Sequence, residues 1–135
     1  MKSREINSLF RNLSKTIKNP KTDLAYKNKF TLLVSVVLSA QCTDVNVNNV
    51  TRNLYKKYNN PKDFVKLGRK RIEFLIKKIN FFRNKAKSVY LLSKKLIAEH
   101  NGKVPKNFNK LIALPGVGRK TASVVLNEAF GLPTI

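Results

Sequence analysis

The sequence predicts an all-α fold, a single helical bundle with short connections. Apolar residues recur every three or four positions along most of the chain, which is the spacing of one helix face. Proline, glycine and asparagine separate these segments, and no repeat or low-complexity tract interrupts them. A chain of 135 residues has room for one domain with one moderate core.

The first helix is expected over residues 3–18. Its apolar residues form one stripe that needs a covering partner, and they are Ile6, Leu9, Phe10, Leu13 and Ile17. The sequence Asn-Pro-Lys-Thr-Asp at 19–23 breaks this helix. We therefore expect an N-terminal helix at 1–20 and a six-helix domain at 21–135.

The second helix, expected from Lys29 to about Ala40, is apolar on nearly all sides, as befits the centre of a bundle. Its valines are also compatible with a strand, so periodicity alone leaves both open. Thr43 or Asp44 can cap a third helix that runs to about Tyr58.

Five further helices follow, each bounded by residues that disfavour helix continuation. Gly68 separates two short helices, Asn80 opens a loop before a long one, and Pro105 blocks extension of that long helix. The expected ranges are 62–67, 69–78, 84–100, 107–113 and 119–130. The last two form a helical hairpin at about 107–130.

The charge of the chain favours a polyanionic partner. Twenty-eight basic and seven acidic residues give a net charge of +21, and neutralising phosphates with such a surface releases condensed counterions. Drift toward A/T-rich codons would also produce 21 lysines, 7 arginines and 16 asparagines. Charge alone therefore leaves nucleic-acid binding undecided.

Several classes of protein are disfavoured by the sequence. The longest apolar run, Phe30 to Ala40, is shorter than the ~20 residues of a membrane-spanning helix, and the N-terminus has no apolar signal region. A single cysteine, Cys42, forms no internal disulfide and no multi-thiolate metal site. We expect a cytoplasmic protein with no membrane partner and no metal ligands.

The hairpin contains the most specific motif. In LIALPGVGRKTASVVLNEA, from Leu111 to Ala129, Gly116 and Gly118 flank Val117, and the glycines permit backbone conformations that a side chain would forbid. Val117 can pack between the helices while amides at the start of the next helix face a phosphate. An ordinary helix-turn-helix corner is the alternative.

Three segments resemble the endonuclease III family of base-excision DNA glycosylases and abasic-site lyases. LPGVGRKTASVVLNEAFGLPTI is similar to its helix-hairpin-helix signature, LLVSVVLSAQCTDVNVN to its glutamine motif, and HNGKVP to the segment before the hairpin. The resemblance implies a helix-hairpin-helix glycosylase fold. It also implies that the partner is double-stranded DNA with damaged bases or abasic sites, bound by a monomer associated with the nucleoid.

The resemblance assigns the catalytic amine to Lys120. In the family this lysine attacks C1′ of the damaged nucleotide, displaces the base, and forms a Schiff base whose β-elimination cuts the strand. Serine occupies the position in related adenine mismatch glycosylases, so lysine implies a bifunctional enzyme for oxidised pyrimidines. Without the resemblance, Lys120 would be read as one more solvated phosphate contact.

Other residues are expected to open the duplex, because a stacked base must be flipped out before it is attacked. The resemblance implies that Gln41 fills the gap and that Phe81 wedges the opposite strand. Asn80 stands where the family has glycine, although asparagine tolerates positive φ, and either Phe81 or Phe82 can instead belong to the core. The expected DNA contacts are Gln41, Phe81, Phe82, Arg83, Lys85, Gly116, Val117, Gly118, Arg119 and Thr121.

The family motif continues beyond Ile135 to an aspartate that assists base departure, and then to four cysteines that hold a [4Fe-4S] cluster. We therefore expect a C-terminally truncated chain that lacks the iron–sulfur segment, ligates no cofactor itself and is impaired in base excision. None of the seven acidic residues matches a catalytic position. The alternative function is a non-catalytic helix-hairpin-helix DNA-binding fragment.

Overall fold

The structure is a computed structural model that describes residues 23–132, and the account below concerns that part of the chain. Within it lie seven α-helices and no strand. They are α1 (Lys29–Leu38), α2 (Asp44–Lys57), α3 (Pro61–Leu67), α4 (Arg69–Leu75), α5 (Phe82–His100), α6 (Phe108–Ile112) and α7 (Arg119–Phe130). The all-α prediction is confirmed, whereas the helix expected at 3–18 lies outside the described residues.

The seven helices of the described part correspond one to one to the seven helix ranges expected between residues 29 and 130. As expected, α3 and α4 are separate helices on either side of Gly68, whose φ of 82° is a conformation that favours glycine. None of the helices between residues 23 and 132 is both long and apolar enough to cross a bilayer.

Helix α1 is the centre of the bundle. Every residue from Phe30 to Leu38 is buried, and the helix packs against α2, α5 and α7. Asn28 and Thr31 form a capping box at its start, in which each side chain accepts a hydrogen bond from the other residue's backbone N–H. The segment is a helix, which settles the choice between helix and strand that the valines left open.

A buried polar cluster joins α1 to α2. The Tyr55 hydroxyl donates to the backbone carbonyl of Thr31 at 3.1 Å and lies within hydrogen-bond distance of the Ser35 hydroxyl. Burial raises the pKa of Tyr55 well above its ordinary value, because the phenolate would lose its hydration. This hydrogen bonding satisfies the phenol inside an otherwise apolar core.

Two helix boundaries near α4 and α5 differ from the prediction. Helix α4 ends at Leu75 instead of residue 78, and α5 begins at Phe82 instead of Asn84. Helix α4 ends where Ile76 leaves helical geometry, with φ of −111° and ψ of 18°. The left-handed Phe81 precedes α5, and its carbonyl accepts from Lys85 N–H at 3.0 Å at the start of that helix. Apolar spacing does not reveal a single left-handed residue.

Candidate active site

A cavity of about 430 Å³ lies where the end of α1, the start of α2 and the first turn of α7 meet. Its wall includes both Lys120 and Gln41, and the full lining is Leu24, Val36, Ser39, Ala40, Gln41, Cys42, Asp44, Lys120, Thr121 and Val124. Cavities that bind small molecules span roughly 300–1,000 Å³. The volume is therefore in the range of a small-molecule site.

A larger cavity of about 630 Å³ lies elsewhere, between Asn28, Pro61 and Phe130. It contains none of the residues that the motifs single out. We therefore assign the candidate site to the smaller cavity, because the candidate nucleophile is part of its wall.

Lys120 is the second residue of α7, and its side chain is exposed at the edge of the smaller cavity. Its neighbour Thr121 is half-buried in the same wall. The guanidinium of Arg119 instead lies over the ring of Phe108, 5.1 Å from its centroid. Arg119 thus packs on α6, while the side chain of Lys120 remains accessible to a bound molecule.

The two glycines of the hairpin have different structural roles. Gly116 has φ of 77°, and a Cβ placed there would lie 2.5 Å from Ser88 Cβ and 2.7 Å from Ser88 Oγ on α5. Gly118 has φ of −94° and ψ of −175°, which any residue adopts, and a Cβ there would meet nothing within 4 Å. The expectation that both glycines are required by their backbone conformation is therefore wrong for Gly118.

Helix α7 starts without a side-chain cap, as do α4 and α5. Side chains of Asn28, Thr43, Asn60 and Asn107 cap α1, α2, α3 and α6, whereas Gly118 offers α7 no side-chain cap. Val117 between the glycines is buried, and its N–H donates to the Leu114 carbonyl at 3.1 Å. The first amides of α7 are consequently open to an outside acceptor at the positive end of the helix.

Gln41 and Phe81 share an unusual backbone conformation, with φ of 58° in each. Both side chains are exposed, and 60% of the Phe81 surface is accessible. Phe82 is half-buried and packs against the core, with the Arg83 guanidinium 4.7 Å from its ring centroid. Of the two phenylalanines, Phe81 is therefore the exposed one and Phe82 belongs to the edge of the core.

Asn80 does not have the positive φ that its alignment with a glycine suggested, since the left-handed residue is Phe81. The Asn80 side chain has a different contact: its amide donates to the Gln41 carbonyl at 3.1 Å.

Lys85 is placed differently from the sequence-based expectation. Only 7% of its surface is exposed, and its ammonium donates to the Leu38 carbonyl at 2.8 Å and to the Ala40 carbonyl. The structure thus gives Lys85 a role in holding the loop after α1, and its expected contact with DNA stays a prediction.

Sequence reasoning also missed Asp44 as part of the site. It begins α2 as predicted, yet its side chain lines the cavity beside Lys120 and accepts from the Asp23 N–H at 3.1 Å. Cys42 is half-buried in the same wall. The available signal is that Cys42 and Asp44 lie within three residues of Gln41, which the motif had already singled out.

Comparisons with known proteins agree with this geometry. Residues 34–128 match the family described as "HhH-GPD superfamily base excision DNA repair protein". The chain is 49% identical over 135 residues to endonuclease III of Rickettsia conorii, which covers all of this chain and 64% of that protein. It is 47% identical over 117 residues to endonuclease III of Escherichia coli, which covers 87% of this chain and 56% of that one.

Solved structures show the same similarity. A trapped endonuclease III–DNA covalent intermediate superimposes with a TM-score of 0.82 at 47% identity, covering 84% of this chain and 54% of the other. A thermostable thymine-DNA glycosylase gives 0.73 at 28% identity, covering 77% and 48%. The chain thus spans between about half and two thirds of the length of these relatives.

Proposed function

The chain belongs to the HhH-GPD superfamily of base excision DNA repair proteins, and from this premise we propose that it is a DNA glycosylase with abasic-site lyase activity on oxidised pyrimidines. The observation that carries the proposal is the presence of Lys120 and Gln41 in the wall of one cavity. Base flipping brings the damaged nucleotide to the nucleophile only if the nucleophile lies next to the residue that replaces the extruded nucleotide.

In the proposed reaction, the unprotonated Nζ of Lys120 bonds to C1′ as the base leaves with the electrons of the glycosidic bond and takes up a proton. The sugar ring opens to give an iminium ion, loss of a C2′ proton expels the 3′ phosphate, and water releases the amine. At an existing abasic site the amine condenses with the free aldehyde, so the lyase step needs no leaving base.

The hairpin is proposed to hold the DNA backbone during this reaction. The amides at the start of α7 are uncapped by any side chain, and the open space at Gly118 allows a phosphate to approach them closely. Such contacts fix position without reading sequence. The net charge of +21 favours association with duplex DNA in a salt-dependent manner.

We propose further that Gln41 fills the gap left by the flipped nucleotide and that Phe81 enters the opposite strand. Their exposed positions support this assignment.

The residues of this sequence do not supply the ligands of the [4Fe-4S] cluster found in longer family members. The cluster requires four thiolates, and this sequence has Cys42 alone. Between residues 23 and 132 no group of three or more His, Cys, Asp or Glu is arranged to hold a metal. The residues present do not fit the cluster.

The test is borohydride trapping of a duplex oligonucleotide with one abasic site. The wild-type chain should form a covalent adduct, Lys120→Ala should form none, and Lys66→Ala should trap like wild type, because Lys66 is an exposed lysine outside the cavity. Adduct formation by Lys120→Ala would refute the assignment of the nucleophile. Salt-sensitive binding without any adduct would support the alternative, a DNA-binding module without chemistry.

A further inference from the structure

We propose that Asn80 and Lys85 are positioning residues that lock two loops into one unit before DNA is bound. The Gln41 loop comprises residues 39–43, and the Phe81 loop comprises residues 76–81. The inference rests on the proposed function of these loops, which is to fill the gap and to wedge the opposite strand.

The backbone of the two loops is held in a conformation that side chains disfavour. Among residues 23–132 only three non-glycine residues have positive φ, namely Gln41, Phe81 and Asn101. Asparagine tolerates this region, whereas glutamine and phenylalanine adopt it rarely. Surrounding contacts must therefore fix Gln41 and Phe81 in place, and strain of this kind concentrates at functional sites.

Lys85 makes the first set of these contacts. Its ammonium donates to the carbonyls of Leu38 and Ala40, so it anchors the chain entering the Gln41 loop. The same ammonium lies 3.4 Å from Cys42 Sγ, on the other side of Gln41, and 6.0 Å from the centroid of the Phe81 ring. One buried cation thus contacts both loops.

Asn80 makes the second set. Its side-chain amide donates at 3.1 Å to the carbonyl of Gln41, which is the strained residue itself. The bond is exposed, so it contributes little to the free energy of unfolding. It nevertheless joins the Phe81 loop to the Gln41 loop directly. The Asn46 amide adds a longer contact, 3.5 Å, to the Lys78 carbonyl in the same region.

The two loops come from different helix pairs, and without these bonds each would have to be ordered separately when it enters the duplex. Ordering a loop during binding costs conformational entropy, whereas a loop fixed beforehand does not incur that cost at the insertion step. Loss of the lock should therefore slow insertion into duplex DNA. It should leave the chemistry on an unstacked nucleotide unchanged.

The experiment uses the full chain with Asn80→Ala, Lys85→Met and, as a charge-matched control on the same helix, the exposed Lys94→Met. Trapping rates are measured on an abasic site in a duplex and in a single strand. Asn80→Ala should lower the duplex rate about fivefold and Lys85→Met tenfold or more, with single-strand rates within about twofold of wild type. Lys94→Met should leave the ratio of the two rates unchanged.

A second measurement separates this inference from the proposed function, because it needs no chemistry. Fluorescence of 2-aminopurine opposite a tetrahydrofuran abasic analogue reports unstacking on insertion. The two variants should reach the unstacked signal more slowly than wild type, even if the wild-type chain forms no adduct. The proposal is overturned if the variants lose duplex and single-strand rates equally. It is also overturned if Asn80→Ala, which keeps the buried Lys85, unstacks the duplex as fast as wild type.

Discussion

Replacement of Gly116 by alanine tests the packing of the hairpin against α5. The new Cβ would lie 2.5 Å from Ser88 Cβ and 2.7 Å from Ser88 Oγ, and the residue would have to keep φ of 77°. The left-handed conformation costs about 1–2 kcal/mol for a residue with a Cβ. Overpacking against a helix costs about 1–3 kcal/mol more. We expect Gly116→Ala to lower the free energy of unfolding by roughly 2–5 kcal/mol.

The steric part can be separated from the backbone part by a second substitution. Ser88→Gly removes both contacting atoms, and by itself it should cost only about 0.5 kcal/mol, because glycine is a weaker helix former than serine. The double variant should then retain only the backbone and helix terms. Its loss should be about 1–3 kcal/mol smaller than the sum of the two single losses, the signature of residues in contact.

Urea unfolding followed by circular dichroism measures these differences, with the slope of the transition as a check that the unfolded state has not changed. Stability of Gly116→Ala within about 0.5 kcal/mol of wild type would refute the argument, since that is the range of ordinary surface substitutions. Additive losses in the double variant would show that Ser88 and residue 116 are not in contact.

Three further predictions address the interface and the core. Gly118→Ala should leave the free energy of unfolding within about 0.5 kcal/mol of wild type, because the backbone at Gly118 is extended and its surroundings are open. It should nevertheless weaken duplex binding severalfold, as measured by fluorescence anisotropy. Unchanged affinity would remove the phosphate contact from the proposal. Phe81→Ala should also leave the unfolding transition nearly unchanged, since the ring is 60% exposed, while duplex trapping falls and single-strand trapping persists; a parallel loss of both rates would contradict a wedge. Tyr55→Phe should cost about 1 kcal/mol at neutral pH, because the bond to the Thr31 carbonyl is lost. Burial raises the folded-state pKa of Tyr55 above the unfolded value near 10, so its stabilising effect is complete below pH 10 and is lost as pH rises further, by up to about 1.4 kcal/mol per unit. Alkaline unfolding of Tyr55→Phe should therefore be less steep, and an unchanged pH dependence would show that the phenol is not buried.

Local sequence features predicted most of the helices correctly. Hydrophobic periodicity placed α2 and α5, and capping residues such as Thr43 and Asn107 mark helix starts because they bond amides only three positions away. The boundaries that failed lie around Phe81, where one left-handed residue ends a turn and begins the next helix. Its neighbours Asn80 and Lys85 bond to the carbonyls of Gln41, Leu38 and Ala40, which are distant in sequence, and no local pattern reports such contacts.

The sequence by itself determined the fold class, the family and the identity of the candidate nucleophile, because helix periodicity and the Gly-Val-Gly-Arg-Lys motif are encoded in consecutive residues. Only the tertiary structure decided that Lys85 is buried and that Lys120 and Gln41 border one cavity. It also decided that packing against Ser88 leaves no room for a side chain at Gly116, whereas the space around Gly118 is open. These facts depend on which helices pack together, since burial and close approach are properties of pairs of segments and not of either segment alone.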